Sequence, residues 1–112
     1  MNSYRLFVLM YNALDCVYDL SHNQNLGNYL SDLNPFLFEG ENSADSYYYE
    51  DFKKEFMKLN TDKVYDADIA YRFCLEFIEK ENVKEVTQAF AEFDKKRWTD
   101  VFNSLLLNER RR

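Results

Sequence analysis

A chain of 112 residues with 20 acidic and 14 basic side chains carries a net charge of -6, and ten Phe, nine Tyr and one Trp stand against only two Gly and one Pro. So many large apolar side chains exclude a disordered chain, and so few turn formers argue against an all-β sandwich or barrel. A pI near 4.8 argues against general nucleic-acid binding, which relies on Lys and Arg to neutralise phosphates.

The first segment, Tyr4 to Leu20, carries two apolar stripes at helical spacing. One is Leu6, Met10, Ala13, Val17 and Leu20; the other is Tyr4, Phe7, Tyr11, Leu14 and Tyr18. Arg5, Asn12, Asp15 and Asp19 share one narrow polar strip. A helix apolar around most of its circumference belongs in the middle of a bundle. A strand over Leu6–Tyr11 is the competing reading, and the periodic continuation to Leu20 favours helix. After the polar break Ser21–Asn25, Leu26, Tyr29, Leu30 and Leu33 mark a short second helix. It stops before Pro35, because the residue ahead of a proline avoids the α region.

Asn34 to Asp45 is the longest irregular stretch. Phe36-Leu37-Phe38 is too apolar for a solvated loop and is expected to tuck into the core, whereas Glu39 to Ser43 is polar and acidic and contains Gly40. Asp45 is placed to cap a third helix, with Tyr49, Phe52, Phe56 and Leu59 three to four residues apart. A fourth helix opens near Asp66 and runs to about Lys80, with Ala70, Phe73, Cys74, Phe77 and Ile78 on one face. Asn82 is a candidate cap for a fifth (Val83, Val86, Phe90, Phe93) and Asp94 for a sixth (Trp98, Val101, Phe102, Leu105), unless these two form one bent helix. The pattern predicts one all-α domain over residues 1–112: a bundle of five or six helices, its N-terminal helix mostly buried, with a basic tail fraying over about 108–112. That length suffices for a core without disulfide or metal staples.

Catalytic chemistry is absent from this pattern. His22 is the only histidine and sits among Ser21, Asn23 and Gln24, so no triad can be assembled around it. Gly27 and Gly40 stand alone, so there is no glycine-rich phosphate loop. Cys16 and Cys74 lie 58 positions apart, without a CxxC or a neighbouring His, and read as two thiols inside helices rather than zinc ligands or a disulfide. Glu76 and Glu79 fall on the solvent side of the fourth helix, and no Glu is followed by a His as a di-metal bundle requires. A non-enzymatic protein with no metal or cofactor is expected. The longest apolar run, Leu6 to Tyr11, is six residues, far short of the ~20 of a membrane span. Asn12 and Asp15 break any signal-peptide core. A cytoplasmic protein without membrane association follows.

Charge is unevenly spread. Residues 1–93 carry net -9 and residues 94–112 net +3, the latter from Lys95-Lys96-Arg97 and Arg110-Arg111-Arg112. Six bases without a supporting basic face make a small phosphate footprint, so they read first as cations near a helix C-terminus. The sharper feature is Glu39 to Asp51, where Glu39, Glu41, Asp45, Glu50 and Asp51 surround Tyr47-Tyr48-Tyr49 without a single base. Three consecutive helical positions span about 200° of the circumference, so three rings cannot share one core. Tyr49 is in register with Phe52 and Phe56, which leaves Tyr47 or Tyr48 exposed among carboxylates. Tyrosine is enriched at binding hot spots, and an acidic rim attracts a basic partner. Glu39, Glu41, Asp45, Tyr47, Tyr48, Glu50 and Asp51 are therefore the candidate partner surface. The competing reading is an acidic first turn whose extra tyrosines cover a neighbouring loop.

The run Asn34-Pro35-Phe36-Leu37-Phe38, then Ser43-Ala44-Asp45 and an acidic aromatic helix, resembles a group of uncharacterised small bacterial proteins over about residues 28–60. In size, charge and helix content the chain also resembles the small acidic helical immunity proteins that neutralise toxins. These resemblances imply a bacterial protein that binds another protein with a basic surface, and they assign no functional residue. The alternatives are a helical bundle that binds a small apolar ligand and a regulatory homodimer.

Overall fold

The computed structural model describes residues 1–37 and 40–110. Among them the chain forms six helices and no strand: α1 (Ser3–Ser21), α2 (Gln24–Leu33), α3 (Ser46–Met57), α4 (Ala67–Lys80), α5 (Lys84–Glu92) and α6 (Lys95–Arg110). The Cα radius of gyration is 13.3 Å, matching the ~13 Å of a single domain of this length. α1 lies at the centre and packs against α2, α3, α4 and α5, while α6 closes the bundle against α4. The two stripes of α1 explain this position: Leu6, Phe7, Leu9, Met10, Ala13, Leu14 and Val17 are all buried. Leu20, assigned to the same stripe, is 87% exposed in the last turn.

Side-chain caps fix most helix starts. Asn2 accepts from the Arg5 amide, Asn23 from Leu26, and Asp66 from both Asp68 and Ile69. Asp45 caps α3 as its position predicts, accepting from the Tyr47 amide. Asn82 does not cap α5. It adopts φ 55°, a left-handed turn that Asn tolerates, and Val83 precedes the helix without a side-chain cap. Asp94 accepts from the Lys96 amide at 2.9 Å, and Phe93 is extended, so α5 and α6 are separate helices rather than one bent rod. His22, for which the sequence offered no role, ends α1 at φ 52°, its amide bonded to Tyr18 O at 2.8 Å.

The α2–α3 connection departs from the sequence expectation. Phe36 and Leu37 are 61% and 62% exposed, so this part of the apolar run does not enter the core; Phe38 lies outside the described residues. Pro35 takes the buried place instead, and the Asn34 side chain turns the chain outward by accepting from the Phe36 amide. Phe36 keeps only an edge contact with Tyr11 at 5.7 Å. Beyond the loop, Ala44 N bonds to Asn34 O at 2.9 Å and Asp45 N to Asp32 O at 2.8 Å. These two bonds hold the start of α3 beside the end of α2.

At the far end, α6 continues as helix through Arg110, and Glu109 pairs with Arg5 at 2.8 Å. Of the segment expected to fray, residues 108–110 are therefore helical, while Arg111 and Arg112 lie outside the described residues.

Candidate functional site

The acidic-tyrosine surface is built from the first turns of α3. Tyr49 is buried, with its ring against Phe7 at 5.3 Å and Tyr4 at 5.5 Å and its hydroxyl 3.3 Å from Ser3 Oγ. One residue back, Tyr48 is half-buried; two back, Tyr47 is 58% exposed. The helical rotation of about 100° per residue thus carries the triplet from core to solvent. Tyr47, Tyr48 and Tyr29 of α2 form a ladder of edge-to-face rings, with centroids 5.5 Å apart at both steps. Such pairs are worth about 0.5–1.5 kcal/mol each beyond their area, so the exposed ring is braced from beneath.

Ser43 locks this turn. It is fully buried; its hydroxyl donates to Asp45 O and accepts from the Tyr49 amide at 3.0 Å. Ser43→Ala leaves that buried amide without its acceptor and is expected to cost about 1–3 kcal/mol in chemical denaturation, with the far-UV spectrum unchanged.

The structure divides the candidate residues. Asp45, Tyr47, Tyr48, Glu50 and Asp51 share the α3 surface. Glu41 lies elsewhere, lining an open groove with Met1, Tyr4, Arg5 and Phe36. Glu39 lies outside the described residues. Asp45 is exposed yet committed to its cap, and Asp51 is salt-bridged to Lys80 of α4 at 3.2 Å. That lysine also reaches Glu55 at 3.4 Å and is held charged by the hydrogen bond to Asp51. Glu50 is exposed and has no ion pair among the described residues.

Two acids from other helices join the surface. Asp32 is in the last turn of α2 and Glu81 is the C-cap of α4; both act on the Tyr48 hydroxyl, whose pKa burial has already raised. A carboxylate at a helix C-terminus meets the negative end of the dipole. Glu81 is half-buried, and its pKa is raised by burial and by Asp51, with Lys80 opposing. Neither Asp32 nor Glu81 has a salt bridge among the described residues. The sequence carries a weak sign of both: each is an acid where the dipole favours a base. Their convergence needs the α2–α3 tie and the α3–α4 packing, which no local pattern reveals.

A carboxyl whose pKa is raised on folding binds more protons in the native state than in the unfolded state, between the unfolded and the raised value. Stability then falls as pH rises through that interval. Glu81→Gln is therefore expected to raise the melting temperature at pH 7, and the gain is expected to vanish at pH 4. Asp51, Lys80, Tyr29 and Tyr48 are the titrating neighbours of Glu81 and are unchanged in this comparison.

Open grooves lie away from Tyr47. One of about 720 Å³ runs between α1 and α6, lined by Tyr4, Val8, Leu9, Phe36, Val101 and Leu105 among others. Another of about 520 Å³ lies between α1 and α2 and is largely polar. Among the described residues, no three His, Cys, Asp or Glu side chains converge as metal ligands, and both cysteines are free thiols. No helix among them is long and apolar enough to cross a membrane. Comparison with known proteins finds no matching family model, no matching curated protein and no matching solved structure. What defines the molecule is thus its class, an all-α bundle of six helices among the described residues, together with an acidic-aromatic surface on α3.

Proposed function

We propose that this chain is a non-enzymatic protein-binding module of the bacterial cytoplasm. Its α3 surface docks onto a partner with a basic face. The most specific form of the reading is an immunity or antitoxin-type protein that neutralises a basic toxin. The observation that supports it is Tyr47, a large ring held in solvent by Tyr48 and Tyr29 and rimmed by Asp45, Glu50 and Asp51. A core ring has no need of that position, and a braced aromatic within a charged rim is the arrangement of interface hot spots. Rim charges speed association and are screened by salt. Affinity capture from native lysate is expected to recover one protein in stoichiometric amount at low salt, less of it at high salt, and that protein is expected to be basic. Recovery of no stoichiometric partner at any salt concentration contradicts the reading.

The α1–α6 groove favours a second reading, a small apolar ligand held by Val8, Leu9, Phe36, Val101 and Leu105. Exposed Met57, Tyr65 and Ile69 near the α3–α4 connection favour a homodimer as its regulatory variant. Native mass spectrometry of the purified protein separates these outcomes by mass.

A further inference from the structure

Leu59, Tyr65 and Ile69 are exposed apolar side chains that line one hollow of about 640 Å³, with Lys63 and Asp66 beside them. A second hollow, of about 190 Å³, shares Leu59 and Ile69 and continues along α4 to Arg72, Phe73 and Glu76. The two meet at Leu59 and Ile69, so the face is continuous from the α3–α4 connection onto α4. Along α4, positions 69, 72, 73 and 76 repeat at the spacing of a helical stripe. This stripe is distinct from the inward one of Ala70, Cys74, Phe77 and Ile78, which is buried. Phe73 joins the two, since its ring also meets Phe52 at 5.1 Å and Phe56 at 5.6 Å.

Charge sets this face apart. The chain carries -6, whereas the two hollows are lined by two bases, Lys63 and Arg72, and two acids, Asp66 and Glu76. A basic partner finds no net attraction there, and two acidic copies of the chain meet there without net opposition. Arg72 is two-thirds exposed, and its one ion pair is a 3.9 Å approach to Asp68, which Lys95 already holds at 2.6 Å. Glu76 is exposed and has no ion pair among the described residues.

We propose that two copies of this chain pair through this face, their α4 helices antiparallel and crossing near Arg72 and Phe73. The inference rests on the homodimer reading above and gives that dimer its seam. A two-fold contact is reciprocal, so whatever one copy offers it also receives. Positions 72 and 76 lie about one turn, or ~6 Å, apart on the helix. An antiparallel copy therefore brings Arg72 of each protomer within reach of Glu76 of its partner, twice. A parallel pair sets Arg72 against Arg72 and Glu76 against Glu76, which like-charge repulsion disfavours. Ile69 and Phe73 of the two copies form the apolar centre between these charge pairs, with Leu59 at either end. A seam of one helix and one connection is small beside the ~800 Å² per partner of a standard interface, so the dimer is reversible.

Sedimentation equilibrium across a hundred-fold range of protein concentration is the test. The mass is expected to rise from 13.6 kDa toward twice that value. Ile69→Glu is expected to keep the chain monomeric throughout. Arg72→Glu and Glu76→Arg each place like charges opposite one another and are expected to weaken the dimer at least ten-fold. The double exchange Arg72→Glu/Glu76→Arg is expected to restore it to within about three-fold of wild type, since the reciprocal pairs re-form with their signs swapped. All three positions are exposed, and far-UV spectra verify that each variant is folded. Tyr47→Ala/Glu50→Lys, on α3, is expected to dimerise as wild type does. A dimer that survives Ile69→Glu, or one that the double exchange fails to restore, overturns the α4 seam and leaves the broader homodimer reading standing. A monomer at every concentration overturns both.

Discussion

Phe52→Ala is expected to lower stability by about 3–5 kcal/mol, the range for emptying a buried aromatic site. Phe52 is fully buried, and three rings meet it edge to face: Phe7 of α1 at 5.2 Å, with Phe73 and Phe77 of α4 each at 5.1 Å. The side chain is thus the point where α1, α3 and α4 interlock, and its neighbours are too stiff to collapse into the void. With a urea m-value of about 2 kcal/mol/M, the midpoint moves down by about 2 M. Phe52→Leu, which retains most of the volume, is expected to cost about 1–1.5 kcal/mol. The consequence for function is direct. Phe52 follows Asp51 and holds the face of α3 opposite the acidic rim, so partner affinity is expected to fall in Phe52→Ala only where unfolding is measurable. An unchanged midpoint contradicts the core assignment.

Trp98→Ala carries a comparable expected loss of about 3–5 kcal/mol, at the other end of the bundle. Trp98 is fully buried, its ring meeting Tyr71 at 5.8 Å and Phe90 at 5.5 Å, and its indole N–H donates to Ala67 O across 2.9 Å. That bond fastens α6 to the first turn of α4, and the rings fasten it to Tyr71 of α4 and Phe90 of α5. Trp98→Phe keeps an aromatic body and removes the donor, so about 1–2 kcal/mol of the loss is expected to remain. The single tryptophan also reports the event. Its emission is expected to be blue-shifted in the native protein and to move red in one transition with the far-UV signal. A tryptophan transition preceding the loss of helix would show that α6 leaves the bundle by itself.

Most of the fold was legible because every helix shows apolar spacing and several also carry a capping side chain. Asp45 and Asp66 show both signals, and both cap where the spacing places them. Phe36 and Leu37 misled because apolarity says that burial is favourable, not that the chain can reach the core. Buried Pro35 and the Asn34 turn direct that segment outward. Within the candidate surface, helix geometry turns Tyr49 inward and leaves Tyr47 or Tyr48 outside; the structure exposes Tyr47 and half-buries Tyr48. The sequence places Glu41 on this surface and the structure puts it in the α1–α6 groove, because a loop residue has no periodicity to fix its direction. Asp32 and Glu81 were illegible for a different reason. Nothing near Tyr47 in sequence places them there, and only tertiary packing brings three helices to one point.

The central claim is that the α3 surface itself, rather than acidity in general, recruits the partner. Capture from one lysate at equal loading, by wild type, by Tyr47→Ala/Glu50→Lys and by Glu92→Lys, tests it. Both substituted positions of the surface variant are exposed, so its stability is expected to fall only by the worth of the lost Tyr47–Tyr48 ring pair, about 0.5–1.5 kcal/mol, and the chain stays folded. Wild type and Glu92→Lys are expected to recover the same basic protein in stoichiometric amount, and the surface variant to lose at least nine-tenths of it. Equal recovery by the surface variant and wild type would contradict the account.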